Sequence, residues 1–111
     1  MASPVPIPNS QGLIPGNVLT TIYLAQGTSV VSRITNIKFS PQDLVTAYEI
    51  KLYVSYNSGA TDRLIYYKSL DGGDSISDDS IYNLTNGMRL KAFVNVNDLI
   101  SYVISGELIT V

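Results

Sequence analysis

Nine consecutive residues, Tyr48 to Tyr56 (YEIKLYVSY), alternate strictly along the chain. Tyr48, Ile50, Leu52, Val54 and Tyr56 fall on one side, and Glu49, Lys51, Tyr53 and Ser55 on the other. A period of two marks a strand with one buried face, whereas an amphipathic helix needs a period near 3.6. Met88 to Val96 repeats the pattern, with Met88, Leu90, Ala92, Val94 and Val96 opposed to Arg89, Lys91, Phe93 and Asn95. Ile100 to Leu108 carries Ile100, Tyr102, Ile104 and Leu108 in one parity, with Gly106 where a bulge would sit. Val18 to Tyr23 and Arg63 to Ser69 are β-branched or aromatic enough to join them, and Ile109 to Val111 extends the last run. Between Ser29 and Phe39, Val31, Ile34 and Ile37 are spaced by three as on a helix. Their β-branching, together with Thr28 and Thr35, favours a strand with a bulge.

Turn chemistry separates these runs: Gln26-Gly27, Asn57-Ser58-Gly59, Asp71-Gly72-Gly73-Asp74, Asn86-Gly87 and Asn95 to Asp98. No window reads as a capped amphipathic helix, although Ser40-Pro41-Gln42-Asp43-Leu44 suits one short turn. Short strands at this spacing predict an all-β domain, a single antiparallel β-sandwich of jelly-roll or immunoglobulin-like type over residues 17–111. A length of 111 residues allows one such domain.

Residues 1–16 differ in composition. Pro4, Pro6, Pro8 and Pro15 fix φ and push the residues before them toward extended geometry, which excludes a helix or a central strand. The segment is expected to be an extended arm. Its apolar residues Val5, Ile7, Leu13 and Ile14 need a dry partner, so the arm is either a tail, disordered or packed on its own domain, or is laid on a neighbouring subunit.

The chain has no histidine and no cysteine. That removes Ser-His and Cys-His nucleophile arrangements, thiolate zinc sites and disulfides, so no catalytic residue, cofactor or metal ligand is expected. Seven basic residues against nine acidic ones give a net charge of −2 without a basic run, which disfavours nucleic acid as a partner. No apolar stretch approaches the ~20 residues that span a bilayer. The first charge is Arg33, so the start does not read as a secretory signal and intracellular synthesis is expected. Charged residues make up only 14% of the chain, where about 25% is usual, so another surface is expected to cover part of this one.

Three constellations remain. Asp71, Asp74, Asp78 and Asp79 are oxygen-rich but lack the ligand order of a calcium loop, and a solvated turn is the favoured reading. Asn83-Leu84-Thr85 matches a glycosylation sequon, a coincidence in a chain without a secretory signal. Tyr53, Tyr67 and Phe93 sit on the outward parity of their strands. Their open roles are a subunit interface, plain cross-strand packing, or a platform for sugar rings.

The order Thr21-Ile22-Tyr23, Gly27-Thr28, Val31, Ile34, Ile37, then YEIKLYV, Leu64, Gly87 with Leu90 and Ala92, and Tyr102-Val103-Ile104-Ser105-Gly106-Glu107 resembles the small β-sandwich accessory virion proteins of tailed bacteriophages. The resemblance implies a non-enzymatic head or tail structural protein, located in the virion and present in many symmetric copies. Its expected partners are other virion proteins and copies of itself. It would decorate the capsid or join head and tail by stapling neighbours, with Val5, Ile7, Leu13, Ile14, Tyr53, Tyr67 and Phe93 at the subunit interface. The alternative is a glycan- or receptor-binding sandwich of a tail fibre, marked by aromatics gathered at a concave loop rim.

Overall fold

The computed structural model describes residues 5–7, 11–41, 47–56, 61–71, 74–95 and 100–110. The expected turn at Asn57-Ser58-Gly59, the Gly72-Gly73 pair, residues 96–99 and the helical turn at 42–44 lie outside them, as do residues 1–4 and 8–10 and Val111. Ten strands are formed among the described residues, all paired antiparallel, with no helix: β1 (Val5–Pro6), β2 (Gln11–Ile14), β3 (Thr20–Leu24), β4 (Val30–Pro41), β5 (Tyr48–Tyr56), β6 (Thr61–Leu70), β7 (Ile76–Asp78), β8 (Tyr82–Leu84), β9 (Arg89–Val94) and β10 (Ile100–Thr110).

They form two sheets, as the alternation of the strands requires. In sheet A, β10 and β4 are central, β1 and β2 share the free side of β10, and β7 and β8 share the free side of β4. Sheet B has the order β3-β9-β5-β6. The pairs β1/β2 with β10, β3 with β9, β4 with β7/β8, and β5 with β6 are nested like one long hairpin rolled across two layers. This is the strand order of a jelly-roll sandwich. The inner faces supply one core, including Ile34, Ile37, Phe39, Ile50, Leu52, Leu90, Val94, Ile100 and Ile104. Within it, the Tyr23 hydroxyl on β3 donates to Ser32 Oγ on β4 at 2.7 Å and ties sheet B to sheet A.

The three-residue spacing in β4 comes from a bulge. Ser105 of β10 faces Asn36 but Gly106 faces Ile34, leaving Thr35 as the extra residue, so Ile34 and Ile37 both turn inward. Gly106 is required there because a Cβ would lie 2.2 Å from the carbonyl oxygen of Arg33.

Val5–Pro6 and Gln11–Ile14 of the proline-rich segment pair with β10 of the same chain, as in the alternative of a segment packed on its own domain. Ile7 and Ile14, expected at a subunit interface, are taken into the chain's own core, while Val5 and Leu13 are about half exposed, at 51% and 52%. The cause is local. Strand alternation aims Leu13 and Ile14 to opposite sides, and an edge position beside β10 tolerates the missing proline N–H groups.

The acidic segment also departs from a fully solvated turn. Asp78 ends β7 and is buried, accepting from the Ser80 N–H at 3.0 Å and from the Tyr82 hydroxyl at 2.5 Å. Among the described residues no group of carboxylates comes together as a metal site.

Candidate docking face

The outer side of sheet B gathers what the alternation turned away from the core. Lys51 on β5 has Phe93 of β9 directly opposite on one flank and Tyr67 of β6 on the other. One pleat along, Tyr53 sits between Lys91 of β9 and Leu64 of β6. Leu19, just before β3, completes a shallow depression of about 270 Å³ with Lys51, Tyr53 and Phe93. Leu19, Leu64 and Tyr67 are 40%, 55% and 50% exposed, so the apolar material is open to solvent. The structure therefore brings together the three aromatic residues expected from parity.

It adds Leu64, which simple alternation misses. Leu64 and Tyr67 are three apart, and a register shift in the β5–β6 ladder leaves Ile65 as the extra residue. Leu64 and Tyr67 consequently face out together, while Tyr66, opposite Leu52, turns toward the core. Lys51 and Leu19 were also not singled out by sequence; Lys51 shares the outward parity of Tyr53 along β5, whereas Leu19 precedes β3 and carries no such signal.

Towards the β5–β6 turn the face becomes polar. Asp62 Oδ1 lies 2.9 Å from Lys91 Nζ and also accepts from the hydroxyl of the buried Ser55. These two hydrogen bonds, with Ser55 the larger influence, hold the Asp62 carboxyl below its ordinary range. At the same end but on the parity of the core, Arg63 lies 5.8 Å over the ring of Tyr56.

No family model matches the chain, and no curated protein does either. Among solved structures it is similar to a pentameric capsid protein isolated from metagenomic phage sequences, at 17% identity over 88% of this chain and 59% of that one, with a TM-score of 0.49. A second pentameric capsid protein from metagenomic phage sequences is 18% identical over 88% of this chain and 66% of the other, with a TM-score of 0.48. Eiger TNF from S. frugiperda is 10% identical over 97% and 89% of the two chains, at 0.49. The chain spans less than two thirds of the length of the two capsid proteins.

Proposed function

We propose that this chain is a non-enzymatic structural subunit of a bacteriophage virion, which decorates the capsid or joins head and tail by holding neighbouring subunits together. The observation that supports it most is the exposed apolar and aromatic face of sheet B on a chain with only 14% charged residues. Aromatic clusters left open to water on an otherwise closed sandwich are the composition of an interface core. Val5 and Leu13, exposed at the β10 edge of sheet A, offer a second apolar contact, while Ile7 and Ile14 anchor their segment. The jelly-roll order is compatible with this role, since the architecture serves viral capsid and lectin domains alike.

Glycan binding is the weaker reading. The cleft of about 320 Å³ at the β3–β4 turn is lined by Thr28, Ser29, Val31, Thr85 and Asn86 among others, and no aromatic ring borders it. The test is cosedimentation of the purified chain with particles assembled without it. Saturable binding at a fixed number of copies per particle is expected. Absence of binding, or binding abolished by free sugars, would overturn the structural reading.

A further inference from the structure

The charges of this chain are divided between two parts of the molecule. The strands of sheet B carry Lys51, Arg63, Lys68, Arg89 and Lys91 against Glu49 and Asp62, a net +3. The rest carries two cations against seven carboxylates, a net −5, which together make the −2 of the whole. Asp71 and Asp74, both exposed, lie in the connection from β6 to β7 at one end of the sandwich. The Tyr48 hydroxyl, at the start of β5, donates to the backbone carbonyl of Asp74 and holds that connection against the end of sheet B. The Asn95 N–H to the Glu49 carbonyl, 3.3 Å, and the Asn17 N–H to the Val94 carbonyl, 2.7 Å, mark the same end.

We propose that the outer face of sheet B docks on the acidic end of a second copy of this chain, with Lys51 and its aromatic flanks meeting the exposed carboxylates Asp71 and Asp74. This rests on the structural-subunit reading above and deepens it by naming the partner surface. Lys51 makes no ion pair among the described residues, so it is available to a partner, whereas Lys91 is already engaged by Asp62. On its outward rows sheet B carries Lys51, Arg89 and Lys91 against Glu49 and Asp62, a net +1, so two such faces gain no electrostatic attraction from meeting, while the face and the carboxylate end attract. The free edge of β6 is a poorer self-pairing site. It carries a bulge and the exposed charges Arg63 and Lys68 on the parity of the core, devices that block strand addition.

A face and an end point in different directions, so one contact leaves the complementary surface of each copy free. The contact is heterologous, and repeated it gives a closed ring or an open filament. Four strands at ~4.8 Å spacing and about six residues at ~3.3 Å give a face of roughly 400 Å² in projection, below the ~800 Å² per partner of a standard interface. A single contact is therefore weak, and the assembly depends on repetition.

The experiment is sedimentation equilibrium on the wild-type chain, Lys51→Glu, and the double variant Asp71→Lys with Asp74→Lys, with circular dichroism to verify the β fold. If Lys51→Glu loses its β spectrum, Lys51→Gln, which only removes the charge, takes its place. Wild type is expected to grow beyond the dimer and to weaken at least about tenfold between 50 and 500 mM salt, as screening removes the attraction. Each variant is expected to be monomeric, and their equimolar mixture to form a dimer that cannot extend, because each supplies the surface the other lacks. A mixture that stays monomeric overturns the proposal, as does a wild type that is monomeric at low salt. If the charge variants associate like wild type while Leu64→Ser with Tyr67→Ser does not, this pairing is wrong, and the face still serves a contact. Cosedimentation with particles reports on the structural role separately from any of these results.

Discussion

The two outer faces of the sandwich are built by the same strand alternation and end up chemically different. Across sheet A the outward row reads Ser101 and Ser40, then Val103 and Lys38, then Ser105 and Asn36. Asn36 Nδ2 donates to Asp79 Oδ1 at 2.6 Å, and Arg33 approaches Glu107 at 3.5 Å. Across sheet B the corresponding rows are Phe93, Lys51 and Tyr67, then Lys91, Tyr53 and Leu64. A bulge contributes to the difference in each sheet. In β4 the extra Thr35 lets Ile34 and Ile37 share the inner side, which keeps apolar bulk out of water. In β6 the extra Ile65 lets Leu64 and Tyr67 share the outer side, which does the opposite. One device thus keeps apolar bulk out of water on one face and leaves it exposed on the other.

The largest effect is expected where the sheet A bulge leaves no space. In Gly106→Ala the new Cβ meets the Arg33 carbonyl oxygen at 2.2 Å and Ile34 Cα at 3.0 Å, both backbone atoms that cannot rotate away. A loss of about 3 kcal/mol in urea unfolding is expected, the upper range for overpacking. An unchanged midpoint would mean that the bulge is not held by this close approach. Next comes the contrast between faces. Leu64→Ser with Tyr67→Ser should leave stability within about 0.5 kcal/mol per site yet weaken association with partners about tenfold, read by sedimentation. Val103→Ser, at 46% exposure on sheet A, should change neither. Equal effects from the two faces would remove the distinction drawn between them.

Strands with a clean period of two were legible in the sequence to within a residue or two at their ends, β5 best of all, because alternation alone decides which side is buried. The bulge in β4 was legible as well, since β-branched residues three apart contradict a helix. The bulge in β6 was not, because Leu64, Ile65, Tyr66 and Tyr67 are all apolar and no spacing among them is distinctive. β7 and β8, three residues each, are too short to show a period, and their existence depends on the free side of β4. Of the N-terminal segment, the extended geometry was readable from its prolines. The partner strand β10 was not, because nothing local records a contact some ninety residues away in the chain.

A smaller effect is expected where the sheets' edges face each other. Burial, then the hydrogen bond to Asp78, push the Tyr82 hydroxyl up from 10.0 to about 12, and burial followed by the Asp78 charge raises Tyr66 as well. A raised value means that the folded state holds its proton longer than the unfolded chain. The contribution is therefore complete below about pH 10 and lost as the pH climbs through about 12. Urea midpoints should decline across that window in the wild type and decline less in Tyr82→Phe. Parallel curves would show that the Asp78 cluster does not couple to alkaline unfolding.

The smallest effect separates the two ion pairs. Arg33 and Glu107 on sheet A are 3.5 Å apart with side chains 41% and 35% exposed, so water screens them and Glu107→Gln should shift stability at neutral pH by no more than about 0.5 kcal/mol. On sheet B, Lys91 is only 15% exposed, and the same Asp62 oxygen that meets it also takes the Ser55 hydroxyl. The Asp62 carboxyl titrates below 3.8, chiefly through Ser55 and then through Lys91. Since the folded value is the lower one, the associated stability is present above about 3.8 and disappears as the pH falls through the folded value. Asp62→Asn carries no such proton. Its urea midpoints, followed from pH 5 down to pH 2, should therefore fall less steeply than those of the wild type. If the two curves run parallel, the Ser55–Asp62–Lys91 group is no more than a solvated surface pair, and in this respect the two faces are alike.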